Sequence, residues 1–270
     1  MGSAFALGAA TGCTIKSDDK FVGTPDTYTA RYRSGGSVSV SSVNGPVTVG
    51  QGSEGVVTAT YTPFVLLAYD TSEEDARTEL EKLLKDFQAD TPAPGSVTIG
   101  DSRASGASTM LGATIDVTLP PEFDGPLSVY VRNGSLNTSF VGAASAVDFR
   151  SDNGSIDVTV GSSAKTVNVN TKNGSLSAGL SGVPADSQGG SFVTGNGDIT
   201  LHLPGRARFS IQAQAMRGGV VNLGNATEAG CVVVEGGNAS AQTVSCGGAT
   251  AADPIYQATA SGLGDVNLSF

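Results

Sequence analysis

Asn-Gly recurs along this chain at near-constant spacing, and that period restricts the possible folds more than any other feature. The dipeptide stands at Asn133-Gly134, Asn153-Gly154, Asn173-Gly174 and Asn196-Gly197, with spacings of 20, 20 and 23 residues. The residues after it recur too: Ser135-Leu136, Ser155-Ile156, Ser175-Leu176 and Asp198-Ile199. An earlier copy reads Asn44-Gly45-Pro46-Val47, and degenerate later copies stand at Arg217-Gly218 and Leu263-Gly264-Asp265-Val266. A fixed period of this length means one supersecondary unit stacked repeatedly.

Alternation flanks every copy. Leu127, Val129 and Val131 precede the Asn133 turn, and Leu136, Thr138 and Phe140 follow it. Val147, Phe149, Ile156, Val158 and Val160 surround Asn153 in the same way. A period of two is the signature of a half-buried strand. Each unit therefore reads as strand, Asn-Gly turn, strand and short loop, with two residue types that tolerate positive φ at the turn. Two architectures fit an all-β chain of this kind. In a single-stranded β-solenoid or β-helix, each unit is one coil and the Asn side chains stack in a ladder. In an antiparallel meander or sandwich, each Asn-Gly is a type I′ hairpin turn. Constant unit length favours the solenoid. One segment breaks the pattern: Ser72-Glu73-Glu74-Asp75 offers a cap and an acidic first turn, and Ala76, Leu80, Leu83, Leu84 and Phe87 follow at helical spacing. A helical insertion over about 72–89 is predicted, stopped by Pro92 and Pro94.

Composition narrows the class further. Glycine supplies 37 of 270 residues, charged residues are 15%, and there is no Trp. A coiled coil would need far more charge, and collagen would need Gly at every third position. The net charge is −10, so the chain lacks the basic footprint that nucleic acid demands.

The N-terminus has its own character. Ala4 to Ala10 is a short apolar run followed by Thr11-Gly12-Cys13. Small residues before a Cys resemble a bacterial lipoprotein signal, which would make Cys13 the lipidated first residue of the mature chain. Residues 1–13 are read as this signal, 14–35 as a linker and 36–270 as the β-repeat domain. Cys231 and Cys246 remain, and in an exported Gly-rich chain they suggest one disulfide. Such a bond closes a loop of about 15 residues and stabilises by roughly 3 kcal/mol.

Candidate chemistry is sparse. His202 is the single histidine and faces away from Ile199, Leu201 and Leu203, so a His-based metal site or a triad has little to stand on. Ser162-Ser163-Ala164-Lys165 and Ser151-Asp152-Asn153 match two fragments of a penicillin-binding signature, but in reversed order and in β repeats. Asp157, Asp198 and Asp265 follow their turns and offer at most a loose acidic stripe. No catalytic residue, metal ligand or cofactor site is expected.

The repeat units themselves resemble the bacterial "putative adhesin" domain family of the DUF4097 type. The resemblance rests on Val167-Asn-Val-Asn-Thr-Lys-Asn-Gly-Ser-Leu-Ser-Ala, on Phe192-Val-Thr-Gly-Asn-Gly-Asp-Ile, and on the Ala113-Thr-Ile-Asp-Val-Thr-Leu-Pro strand. It covers roughly residues 36–270 and implies a β-solenoid at the cell surface, with no catalytic residues. The expected function is thus a non-enzymatic cell-envelope or extracellular protein with a structural or adhesive role. Its partners would be glycans or other envelope proteins, and a lipid anchor would be its contact with membrane. Two alternatives stand beside it: an envelope signalling accessory that binds a protein, and a polysaccharide-acting enzyme on a solenoid scaffold.

Overall fold

The computed structural model describes residues 16–17, 20–66, 72–91, 95–101, 111–139 and 143–270. Cys13 lies outside them, as does Phe140. Strands dominate, with one helix among the described residues. They form a twelve-stranded and an eleven-stranded sheet, and the inward side chains of both join one hydrophobic core.

Each repeat spans both sheets. The strand before an Asn-Gly lies in the eleven-stranded sheet, and the strand after it lies in the other. The Asn153 coil, for example, consists of Ala146–Asn153 and Ile156–Val160. Neighbouring coils pair in parallel and in register, so that Asn44, Asn133, Asn153, Asn173 and Asn196 stand side by side. The strands flanking these turns do not pair with one another, which overturns the meander alternative for the repeats.

The turn geometry explains why no hairpin forms. A type I′ turn needs positive φ at both central residues. Here only the glycine has it, at +149° for Gly134, +152° for Gly154, +143° for Gly174 and +136° for Gly197. The Asn residues are present for their amides instead. Asn133 Nδ2 donates to Asn44 Oδ1 at 2.8 Å, Asn153 to Asn133 at 2.8 Å, Asn173 to Asn153 at 2.9 Å, and Asn196 to Asn173 at 2.9 Å. Asn44 ends the ladder by donating to the Leu111 carbonyl at 2.8 Å. Glycine is required twice over, because a Cβ on Gly154 would sit 2.0 Å from the Gly134 carbonyl oxygen.

A second ladder runs inside. Ser42, Ser151, Thr171 and Thr194 are buried two residues before their Asn. Thr171 Oγ1 donates to the Gly154 carbonyl and Thr194 Oγ1 to the Gly174 carbonyl, each at 2.9 Å. These bonds satisfy hydroxyls that burial would otherwise penalise. Between the ladders, Val129, Phe149, Val169 and Phe192 stack across the core from Leu136, Ile156, Leu176 and Ile199, all almost fully buried. Burying a side chain of this size contributes about 1.5–3 kcal/mol.

The stack is not a uniform solenoid from end to end. At the N-terminal end, Lys20–Val22 and Asp26–Arg31 pair antiparallel with Val56–Leu66. Within the expected linker over 14–35, Lys16–Ser17, Lys20–Val22 and Asp26–Arg31 are strands, and Phe21 and Ala30 are buried. These strands are short and carry no repeat turn, which hides them in the sequence. The helix runs over Glu73–Asp86, inside the expected insertion. Ser72 Oγ caps it by accepting from Asp75 N at 3.1 Å. Ala76 and Leu80 pack on Phe21 and Val65, while Leu83 reaches the main core; the Leu84 side chain lies outside the described residues.

The C-terminal end departs from chain order. The Leu263 coil (Ile255–Ala260, Val266–Ser269) inserts between the Asn196 coil and the strands Phe209–Ala215 and Val221–Asn222. The hairpin Cys231–Asn238 and Ala241–Cys246 then pairs antiparallel with Phe209–Ala215. Leu263 takes the place of the ladder Asn, because Gly197 N donates to its carbonyl at 3.1 Å. The last copy is shifted by one residue from its expected place, since Gly219 rather than Gly218 abuts Gly264.

Candidate functional site

Period-two strands that bury one face must present the other. In the parallel stack, the outward residues of successive coils line up in straight rows. On the eleven-stranded sheet, one row runs Tyr130, Arg150, Asn170, Val193, Thr259 and Gln214. A neighbouring row runs Ser128, Asp148, Asn168, Ser191, Gln257 and Gln212. A groove of about 590 Å³ lies over the first rows, lined among others by Tyr130, Asp148, Arg150, Asp152, Asn170 and Lys172. A second concavity of about 400 Å³ follows on the same face, over Gln212, Gln214, Gln257 and Thr259.

The groove is organised by two carboxylates. Asp148 accepts from Arg150 Nε at 3.0 Å and Nη2 at 2.9 Å. Asp152 accepts from Tyr130 Oη at 2.9 Å and pairs with Lys172 Nζ at 2.7 Å. Burial pushes the Asp152 carboxyl up, but the hydrogen bonds from Lys172 and Tyr130 outweigh it and hold the group below the ordinary carboxylate value. Burial, then the hydrogen bond to Asp152, raises the Tyr130 phenol. The hydrogen bond and charge of Asp152 raise Lys172. At neutral pH the site therefore holds an anion, a cation and a neutral phenol donor in one fixed cluster. Tyr130 remains 39% exposed, so its ring is presented with its hydroxyl tethered.

The sequence-level candidates fall elsewhere. Cys231 and Cys246 form a disulfide, with S–S 2.03 Å, between residues directly opposite in the C-terminal hairpin. His202 is exposed and contacts Ser269 Oγ at 2.5 Å through Nδ1. Lys165 pairs with Asp186 at 2.5 Å, and Ser151 is buried with Oγ donating to the Gly134 carbonyl at 3.4 Å, so the penicillin-binding fragments do not form a site. Asp198 Oδ1 accepts from Asp265 N, and Asp265 Oδ1 from Val220 N, each at 2.9 Å. Asp157 sits at a different register, opposite Ser177. No group of three His, Cys, Asp or Glu able to hold a metal exists among the described residues. The groove residues were legible only as 20-residue spacings, Tyr130 to Arg150 to Asn170. Alternation puts each of them on the outward face, but that they form one row beneath a groove depends on the register of the strands.

No helix among the described residues is long and apolar enough to cross a membrane. No family model and no curated relative matches the sequence. Solved structures do resemble the fold. One, a "putative cell adhesion protein" from Clostridium sporogenes, matches with a TM-score of 0.50 and 13% identity over 91% of this chain and 99% of its own. A "putative adhesin" from Bacteroides fragilis shares 11% identity over 91% of this chain and 97% of its own, at a TM-score of 0.34. At these identities the likeness is one of fold, and the first of the two carries it: the same stacked all-β architecture occurs in a solved bacterial protein.

Proposed function

We propose that this is a non-enzymatic protein of the cell envelope or cell surface, built as a rigid all-β scaffold with an adhesive or structural role. The Cys231–Cys246 disulfide carries the reading, because such bonds persist in oxidising, extracytoplasmic compartments. The fold likeness to a protein named for cell adhesion agrees with it. So does the outward polar face, whose rows are set by the register of the strands before any partner arrives. Solenoid-like stacking and a lipid anchor at Cys13 belong to the same proposal, as does membership of the DUF4097-type family. Its partners would be glycans or other envelope components.

One observation favours the protein-binding accessory as a second reading. Val232, Val233 and Val234 are 65%, 45% and 62% exposed on an edge strand, a surface suited to an apolar or strand-pairing partner.

Fractionation of the native host, followed by intact mass and thiol labelling, tests the envelope reading. Recovery with the envelope, or outside the cell, with Cys231 and Cys246 resistant to labelling is the expected result. A cytoplasmic pool in which both thiols react without reductant would overturn it.

A further inference from the structure

The groove over Tyr130 has the chemistry of a particular ligand class. We propose that it binds an extended, uncharged glycan lying across the strands, an inference that rests on the surface-protein reading above.

Four observations converge. The four charges that line the groove cancel in pairs, Asp148 with Arg150 and Asp152 with Lys172, on a molecule whose net charge is −10. The paired charges offer a polyanion no net counter-charge, and both Glu235 in the second concavity and the rest of the chain repel it. Each paired carboxylate keeps lone pairs that a sugar hydroxyl can fill, and Lys172 keeps donors for a sugar oxygen. The exposed Tyr130 ring offers a flat apolar face beside these groups, and its tether to Asp152 removes rotamer freedom that binding would otherwise cost. Finally, the amides of Asn170, Gln257, Gln212 and Gln214 make no hydrogen bond within the chain among the described residues. Each presents a donor pair and an acceptor to the outside, the mixed pattern that hydroxyls match.

Geometry sets the ligand's course. These groups repeat at the strand spacing of about 4.8 Å, so the row from Tyr130 to Gln214 spans about 24 Å in five steps. Both concavities lie along it. A linear polymer perpendicular to the strands meets every row, whereas a single sugar meets one.

Affinity electrophoresis and calorimetry of the full chain test this, with neutral hexamers of glucose, mannose, xylose and N-acetylglucosamine set against hexagalacturonate as the charged probe. We expect at least one neutral hexamer to bind. Tyr130→Ala and Asn170→Ala should each weaken it by about tenfold or more, the loss of a stacked ring or a bidentate amide. Asn170 has no internal partner, so its variant keeps its melting temperature and guards against a folding artefact. Asp157→Asn, exposed on the opposite sheet, should bind as the parent does. Preference for hexagalacturonate, absence of binding to all neutral hexamers, or unchanged binding by both groove variants would overturn the proposal. Where the protein still binds whole envelope preparations in such a case, the glycan groove falls and the surface reading stands. Where it binds neither, the glycan groove and the adhesive role fall together, and the envelope location still rests on fractionation and thiol labelling.

Discussion

From Pro126 to His202 the coils follow one another in space as they do in sequence; from Phe209 to Phe270 they do not. In the first region every coil carries the Asn-Gly turn, and each new coil docks on the one just made. The amide ladder and the buried hydroxyl ladder run without interruption from Ser151 to Thr194. In the second region Leu263 and Gly218 replace the ladder Asn. The last coil of the chain slides in behind an earlier one, and an antiparallel disulfide hairpin closes the edge. The comparison teaches that a repeat can specify its own continuation but not its own end. A parallel stack leaves open strand edges, and closing one here takes strands that break period, direction and order.

Glycine tests the comparison most severely. Gly154→Ala places a Cβ against the neighbouring carbonyl at a positive φ, and strain plus overpacking should cost about 4 kcal/mol. Gly218→Ala, at φ +95° with nothing within 4 Å of a new Cβ, should cost only about 1 kcal/mol. Chemical denaturation compares the two, and equal losses would mean that the central turns are not special.

Reduction of Cys231–Cys246 comes next, at roughly 3 kcal/mol. Hydrogen exchange should show the loss in Cys231–Asn238 and Ala241–Cys246 while Pro126–His202 stays protected. Uniform loss of protection would show that the two regions unfold as one unit.

Asn153→Ala removes two links of the amide ladder. The site is exposed and water can replace the lost bonds, so the cost should be about 1 kcal/mol. Leu263→Asn should extend the ladder by one coil at no cost in melting temperature. A large loss there would show that the Leu263 side chain has a structural duty of its own.

The smallest effect lies at the N-terminal end. Asp124 accepts from Ser34 Oγ at 2.5 Å, Tyr32 Oη at 2.5 Å and Gly35 N at 2.7 Å. These hydrogen bonds, that of Ser34 first, lower its carboxyl to about 2. A folded value below the ordinary 3.8 gives stability that is present above about pH 4 and lost as pH falls through 2. Asp124→Asn should therefore melt slightly lower at pH 7, by up to about 1 kcal/mol at this solvent-accessible, half-buried site. The difference should vanish near pH 2. A gap that persists in acid would assign the effect to packing.

The sequence reached unevenly into these results. The five turn asparagines, the helix from Glu73 and the Cys231–Cys246 pair were all readable, because each is a local or periodic signal. The strands at Lys20–Val22 and Asp26–Arg31 were not, because a short strand is recognised by its partner and their partner lies at Val56–Leu66. The groove was invisible for a related reason. Tyr130, Arg150 and Asn170 are unremarkable one by one, and become a row only when register aligns them.

By itself, then, the sequence determined that this chain is β-rich, repeats in units of about 20 residues, and turns at Asn-Gly. Period and residue chemistry are properties of the local chain, and they are enough for that. Tertiary structure alone decided between the two expected roles of the Asn, which keeps negative φ and bonds the next coil rather than turning a hairpin; it also decided that the final coil inserts ahead of its predecessor, and that an outward face gathers paired charges around a tyrosine. Those outcomes depend on which strands meet across long stretches of chain. Such meetings are set by the packing of the whole stack, which no single unit encodes.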